Sequence, residues 1–227
     1  MLVALARAFR DLGAPALRRI VWLGLGLALL LFLVLWTGVA VALDHGVRFG
    51  WRPLDWLVDI LGAFAVVALS WLLFPAVATL VLGLFLERIA GAVESLDYPG
   101  RGPARRAPIG ETIIASARLM GLTILVNLLA LPVYLLAPGI NFFVFLGLNG
   151  YLLGREYFEV VALRRLDPAA TRAARQHFAR RVFAGGVVIA GLFAVPLVNL
   201  IAPVIATAFM LHIFEGLRRA EPLPSSQ

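Results

Sequence analysis

The sequence predicts an all-α integral membrane protein with two long transmembrane helices, two re-entrant (hemi-penetrating) helical hairpins and amphipathic interfacial helices. Hydrophobic residues make up 62% of the 227 residues and charged residues only 15%, whereas soluble domains are about half apolar and about a quarter charged. Two long apolar segments, at 119–154 and 182–214, each contain a pair of prolines around an uncharged corner. A corner in water usually carries polar or glycine-rich turn residues. We therefore expect both corners to end inside the membrane or against protein.

The paired prolines define the two predicted hairpins. Pro132 and Pro138 bracket the first corner, and Pro196 and Pro203 bracket the second. Irregular backbone at membrane depth survives only where protein buries it or where it lines a wet cavity, so re-entrant hairpins indicate a solute pathway. The alternative is six full crossings, because each arm is about long enough at ~1.5 Å of rise per residue.

The N-terminal region predicts a surface helix followed by a membrane span. Leu2, Leu5 and Phe9 recur at helical spacing with arginines between them, a pattern typical of a helix lying on a membrane. Ile20–Leu43 contains no charged residue. It is longer than the ~20 residues that cross a hydrocarbon core, so it is the first transmembrane helix.

The central region predicts a second long helix and a basic loop. Trp56–Leu86 is apolar and is interrupted by Pro75, and the helix continues toward the Pro/Gly-rich loop Asp97–Pro103. That loop cannot be helical throughout. On the later arm of the first hairpin, Gly150 and Gly154 form a small-xxx-small face that is suited to close helix contact.

A basic interfacial helix is predicted to connect the hairpins. Asp167 suits a helix N-cap and Pro168 suits the first helical position. Residues 1–220 are expected to form one membrane domain, and residues 221–227 a disordered tail. The arginines of the connecting helix are Arg172, Arg175, Arg180 and Arg181.

The distribution of charge predicts the orientation. All 20 basic residues are arginine, and only Arg48 and Arg52 lie on the far side if both hairpins return to the face they entered. By the positive-inside rule, both termini of this multi-pass protein are expected to be cytoplasmic. The arginines flank apolar segments rather than forming one stripe, so no nucleic-acid partner is expected. The absence of cysteine excludes disulfides and thiol chemistry.

The first candidate anion site is Ala16, Leu17, Arg18 and Arg19. A turn here leads into a helix N-terminus, where free N–H groups and the helix dipole attract anions. The paired arginines add bidentate, charge-assisted hydrogen bonds to an oxyanion. The alternative is that the pair is a topology signal that contacts lipid headgroups.

The hairpin corners are the second candidate. Pro138-Gly139 and Pro203 precede half-helices whose N-termini point into the membrane, an arrangement by which transporters hold anionic groups. Asn141 and Asn199 lie beside the corners and have amide donors. The alternative is that these amides only satisfy loose backbone groups at the bends.

Four glutamates lie at the ends of apolar helices, and ion pairs with nearby arginines or proton coupling would explain them. The chain has no motif for a cofactor, for a metal or for catalysis, so we expect no cofactor and no enzyme activity. These glutamates are Glu87, Glu156, Glu159 and Glu215.

The order of these parts resembles the CysZ family, bacterial inner-membrane proteins grouped with the etoposide-induced-protein domain. The matching blocks are Pro15–Arg19, Pro138–Ile140 and Val195–Val204. The resemblance implies two transmembrane helices with two hemi-penetrating hairpins, a homo-oligomer in membrane lipids, and sulfate uptake for cysteine biosynthesis. It also implies that the sulfate-binding turn is Ala16–Arg19.

Two departures from the family pattern leave other functions open. Ala16 replaces a glycine of the sulfate-binding turn, and Ala76-Val77 replaces an Asn-Gly pair after Pro75. The alternatives to sulfate uptake are a permease for a different anion and a non-transporting protein of the same fold that shapes the bilayer or scaffolds partners.

Overall fold

The protein, seen in a computed structural model, is helical wherever it has regular secondary structure among the described residues. These residues are 1–44, 64, 70, 74, 77–105, 108–136 and 138–220. Short 3-10 turns occur at Pro99–Arg101 and Pro138–Ile140. The helices are α1 (Leu2–Asp11), α2 (Pro15–Asp44), α3 (Leu86–Asp97), α4 (Ile109–Leu136), α5 (Asn141–Ala162), α6 (Pro168–His177), α7 (Ala179–Ala194), α8 (Pro196–Asn199) and α9 (Ala202–Ala220).

Two of the described helices are long and apolar enough to cross a membrane. The qualifying segments are Pro15–Gly38 in α2 and Leu119–Leu136 in α4. The first confirms the predicted N-terminal span. Most of the predicted second long helix, including Pro75, lies outside the described residues, as does the predicted disordered tail 221–227.

The end of the predicted second helix differs from the expected continuous helix. Residues 77–83 are helical, but the chain turns at Leu84 and Phe85 before α3 begins. The N–H of Phe85 donates to the carbonyl oxygen of Leu82 at 2.9 Å, an i→i−3 bond that tightens the helix end. The helix therefore changes course at its polar end, where apolar residues give way to Glu87 and Arg88.

The first corner is narrower than the two prolines suggested, because Pro132 lies inside α4. Proline removes one backbone donor and disturbs one turn, yet the chain stays helical to Leu136 and turns at Pro138–Ile140. The second corner contains the short helix α8, after which Pro203 lies in the first turn of α9.

Helices α5 and α7 cross at glycines, which confirms the predicted contact face. A Cβ atom built on Gly186 of α7 would lie 2.6 Å from the Cα of Gly154 and still closer to the carbonyl oxygen of Gly150. A Cβ on Gly154 would lie 2.6 Å from the carbonyl oxygen of Val182. The two backbones approach this closely only because all three positions lack a side chain.

Helix α9 forms the centre of the molecule. Every residue from Ala202 to Glu215 is buried, and α9 contacts α1, α3, α5 and α7. The second hairpin thus supplies the core around which the surface helices assemble.

The predicted connecting helix is divided in two. Asp167 caps α6 as predicted, and its Oδ1 accepts hydrogen bonds from the N–H groups of Ala169 and Ala170, both at 2.8 Å. The helix was expected to continue past Arg180, but it ends at His177, and α7 leaves at 88°. The break lies at Phe178, whose side chain is buried in the core. Burying the Phe178 ring is favourable, and the bend allows the ring to reach the core while α6 keeps its polar residues outside it.

A charged end of the bundle and its candidate sites

Both hairpins begin and end at the same end of the molecule. The N–H of Arg105, before α4, donates to the carbonyl oxygen of Arg164, after α5, at 2.8 Å. Arg181, at the start of α7, and Leu217, near the end of α9, line one cavity together with α1. We call this region, where the ends of α1, α3, α5, α7 and α9 meet, the charged end.

The predicted anion site lies in the first turns of α2. Leu17 is fully buried, whereas Ala16, Arg18 and Arg19 are exposed. The N–H of Arg18 donates to the carbonyl oxygen of Ala14 at 3.0 Å, so the N–H groups of Ala16 and Leu17 precede the first backbone bond of the helix. Within the described part of the chain, neither arginine has a carboxylate partner, and the first turn contains no acid. The arrangement presents two guanidinium groups to solvent beside a helix N-terminus.

The corner residues are held at separate places. Asn141 donates from Nδ2 to the carbonyl oxygen of Tyr134 at 3.1 Å, and its buried Oδ1 has no hydrogen-bond partner among the described residues. The Oδ1 of Asn199 accepts from the hydroxyl of Thr79 at 3.4 Å. Pro138 and Gly139 form the 3-10 turn, and Pro203 is buried.

Three of the four glutamates form ion pairs. Glu87 pairs with Arg164 at 2.5 Å, and Glu159 pairs with Arg155 at 2.9 Å and with Arg175 at 3.5 Å. Glu156 has no basic partner in the described portion of the chain.

Glu215, the third glutamate that forms ion pairs, is 1% exposed and lies buried at the charged end. It pairs with Arg101 and with Arg218 at 3.4 Å. Charge burial of this kind is tolerated only with partners, so Arg101 ties the loop after α3 to the end of α9.

A buried triad, not anticipated from the sequence, joins three helices at the charged end. His212 of α9 lies between Asp11 at the end of α1 and Tyr98 just after α3. Its Nε2 is 2.7 Å from the Oδ2 of Asp11, and its Nδ1 is 2.8 Å from the hydroxyl of Tyr98. All three residues are buried.

The chemistry of the partners assigns the hydrogens of this triad. A carboxylate only accepts, so the Nε2 of His212 carries the hydrogen that it donates to Asp11, and Nδ1 accepts from the hydroxyl of Tyr98. Burial raises the pKa of Tyr98, and the nearby guanidinium groups of Arg7 and Arg219 offset only part of that rise. The phenol therefore stays protonated and remains a donor.

A ligand atom from each of Asp11, Asp97 and His212 lies within 4.8 Å of the other two, which is close enough to hold a metal ion. Here the guanidinium of Arg10 bridges the two carboxylates, at 2.8 Å from Asp11 and 2.5 Å from Asp97. Arginine supplies the positive charge that a cation would bring, so the group acts as an ion-pair cluster.

A second cluster fixes the loop between α3 and α4. Glu94 pairs with Arg164 at 2.7 Å and with Arg165 at 2.9 Å. Burial tends to raise the pKa of the Glu94 carboxyl, but hydrogen bonds and charge from the two arginines together outweigh it, so the pKa is lowered. Arg165 also donates to the carbonyl oxygens of Arg101, Gly102 and Pro103 at 3.1–3.2 Å.

A weak sequence signal for the triad exists. His212 lies in an otherwise apolar helix, and its only polar neighbour at helical spacing is Glu215. In the structure these two side chains do not interact with each other: His212 is hydrogen-bonded to Asp11, and Glu215 forms an ion pair with Arg101. No local pattern identifies a partner 201 positions away.

Comparison with known families gives one result. The family model described as sulfate transporter CysZ/Etoposide-induced protein 2.4 matches residues 4–203. The match begins within α1, includes the start of α2 and both corners, and ends at the first turn of α9. A comparison with curated proteins gives no match for this chain.

Proposed function

We infer that this chain, which belongs to the sulfate transporter CysZ/Etoposide-induced protein 2.4 family, is a membrane permease for a tetrahedral oxyanion, namely sulfate. The observation that carries the proposal is the pair Arg18 and Arg19, exposed and without a carboxylate partner in the described structure, at the N-terminus of the first membrane helix. An oxyanion there would accept from the guanidinium groups and from the free N–H group of the exposed Ala16.

The proposed site tolerates the alanine that replaces the family's glycine. Ala16 is exposed and lies in helix α2, and no residue other than glycine has a positive φ among the described residues. A methyl group at position 16 therefore requires no unusual backbone conformation. Its effect on the site is confined to how closely an anion approaches the backbone.

The deeper pathway is proposed to run past the hairpin corners. Asn141 is the first residue of α5, and its Nδ2 donates one hydrogen to the carbonyl oxygen of Tyr134. Its second amide hydrogen is the donor that we propose for an anion. At the second corner, Asn199 ends α8 and Pro203 lies in the first turn of α9. Half-helix N-termini stabilise negative charge at such depth.

Helix lengths support a re-entrant second hairpin. Helix α7 has 16 residues, or about 24 Å at ~1.5 Å per residue, which is shorter than a hydrocarbon core of about 30 Å. Helix α4 has 28 residues, or about 42 Å by the same rise, which is enough for the full crossing that the alternative topology requires. We propose that the second hairpin dips into the bilayer and returns.

The proposed cellular setting follows the family and the charge distribution. The chain would lie in the bacterial inner membrane as a homo-oligomer, with both termini and the charged end in the cytoplasm. It would supply sulfate to cysteine biosynthesis. Without an ATPase motif in the sequence, transport would follow a gradient or the metabolic consumption of sulfate.

The test is uptake of radiolabelled sulfate by proteoliposomes. The double variant Arg18→Gln plus Arg19→Gln removes two charge-assisted bonds of ~1.5–3 kcal/mol each, so uptake at low sulfate concentration should fall by at least about tenfold. The control is Arg88→Gln plus Arg172→Gln, which removes two exposed arginines and the same charge. Equal uptake by the two variants would overturn the assignment of the site.

A further inference from the structure

A cavity of about 460 Å³ opens at the charged end between α1, the start of α7 and the end of α9. Its volume lies within the ~300–1,000 Å³ of small-molecule sites. The lining residues that matter here are Arg7, Arg181, His212, Val3, Ile213 and Leu217.

The cavity is electropositive. None of its lining residues carries a carboxylate, and within the described structure neither Arg7 nor Arg181 forms an ion pair. His212 lines the cavity but has no ring nitrogen free to bind a ligand, because Asp11 and Tyr98 are hydrogen-bonded to both of them. Two guanidinium groups from different helices therefore share one cavity, and like charges placed together favour an anion between them.

The first turn of α7 adds to this field. It contains no acidic residue and has no side-chain cap, although acids are the residues that stabilise a helix N-terminus. Arg180 and Arg181 stand there instead. The positive end of the helix dipole and Arg181 thus act in the same direction at the cavity.

The other half of the lining is apolar. Val3, Ile213 and Leu217 line the cavity together with Ala4, and Val3 is itself 68% exposed on α1. A basic pocket that borders an exposed apolar helix face is the arrangement that receives an anionic headgroup together with the first part of its acyl chains.

We propose that this cavity is a second oxyanion site, in which Arg7 and Arg181 bind a phosphate group carried by an anionic lipid or free in solution. The site is separate from Ala16–Arg19 and does not depend on sulfate transport. The apolar lining favours the lipid as the source of the phosphate group, because acyl chains would pack against Val3, Ile213 and Leu217, whereas a free anion gains nothing from apolar contact.

The experiment measures binding to the purified full chain in a nonionic detergent. The probes are short-chain phosphatidylglycerol, diacylglycerol of the same chain length and inorganic phosphate. Phosphatidylglycerol should raise Tm and bind saturably, whereas diacylglycerol should do neither. Arg7→Gln and Arg181→Gln should each weaken binding by at least about tenfold, the effect of losing one charge-assisted hydrogen bond.

Two further variants keep the result interpretable. Arg7→Lys plus Arg181→Lys keeps both charges and should retain part of the affinity even if the glutamine variants fold poorly. The control Arg88→Gln plus Arg172→Gln, which removes two exposed arginines, should bind phosphatidylglycerol as the wild type does.

Each outcome decides the proposal. Arginine-dependent binding of phosphatidylglycerol alone supports the lipid source, and arginine-dependent binding of inorganic phosphate as well supports the free-anion source. Binding that is equal in the wild type and in the Arg7 and Arg181 variants, or absent from the wild type, overturns the proposal.

Discussion

Replacing Gly186 by alanine tests whether the glycine crossing of α5 and α7 holds the two hairpins together. A Cβ atom at this position would lie 2.6 Å from the Cα of Gly154, whereas real Cβ atoms essentially never approach a neighbour within 3.0 Å. The helices must therefore separate by at least 0.4 Å, and by more at the carbonyl oxygen of Gly150, which lies closer. Both neighbours are backbone, so no side chain can rotate away.

The magnitude follows from the loss of packing along the crossing. A gap of about 0.5–1 Å removes a quarter to a half of the dispersion energy of each contact across it, and overpacked sites lose ~1–3 kcal/mol. For a chain of this size, 1 kcal/mol corresponds to ~2–4 °C in Tm. We expect Gly186→Ala to lower Tm by about 3–10 °C.

The matched control lies on the same helix. A Cβ at Gly191 has no atom within 4 Å, so Gly191→Ala should gain up to ~1 kcal/mol of helix propensity and leave Tm unchanged or raised. Thermal unfolding in detergent, followed by tryptophan fluorescence, measures both variants. If Gly186→Ala unfolds at the same temperature as Gly191→Ala or above it, the crossing is not packed as described.

Two further predictions concern buried polar groups at the charged end. Tyr98→Phe leaves the Nδ1 of His212 without its donor and should cost ~1–3 kcal/mol, seen as a lower Tm, whereas the exposed Tyr151→Phe should have no effect; equal Tm values would contradict the assigned hydrogen bond. Glu94 has a lowered pKa in the folded protein, so its ion pairs stabilise the fold fully above the unfolded value of 4.5 and progressively less as the pH falls through the lower folded value. Glu94→Gln should therefore flatten the dependence of Tm on pH between about pH 6 and about pH 3, and parallel curves for wild type and variant would show that Arg164 does not act on Glu94 as described.

The elements that the sequence predicted well depend on neighbours in the chain. Asp167 followed by Pro168 specifies a helix start through one side chain and the next backbone donors, and the structure has those bonds at 2.8 Å. Gly150 and Gly154 mark one helix face by their spacing alone, and that face contacts Gly186.

The misplaced boundaries occur where tertiary packing outweighs local preference. Pro132 was expected to end a helix, but in an apolar setting the surrounding backbone has no better hydrogen-bond partner than the helix itself, so α4 continues to Leu136. The helix after Asp167 was expected to continue past Phe178, but burial of that side chain in the core is accompanied by an 88° bend.

The class of protein follows from the amino-acid order alone, because apolar length, arginine placement and proline-bounded segments are properties of the chain read in order. The sequence also contains the blocks that resemble the family, because residues 15–19 and residues 195–204 each form a continuous segment of the chain. Which charges meet depends instead on the packing of the helices. Asp11 and His212 lie 201 positions apart, and Arg7 and Arg181 share a cavity only after α1 packs on α9. Such pairings are set by how the helices pack, which is a property of the whole molecule and not of any one segment.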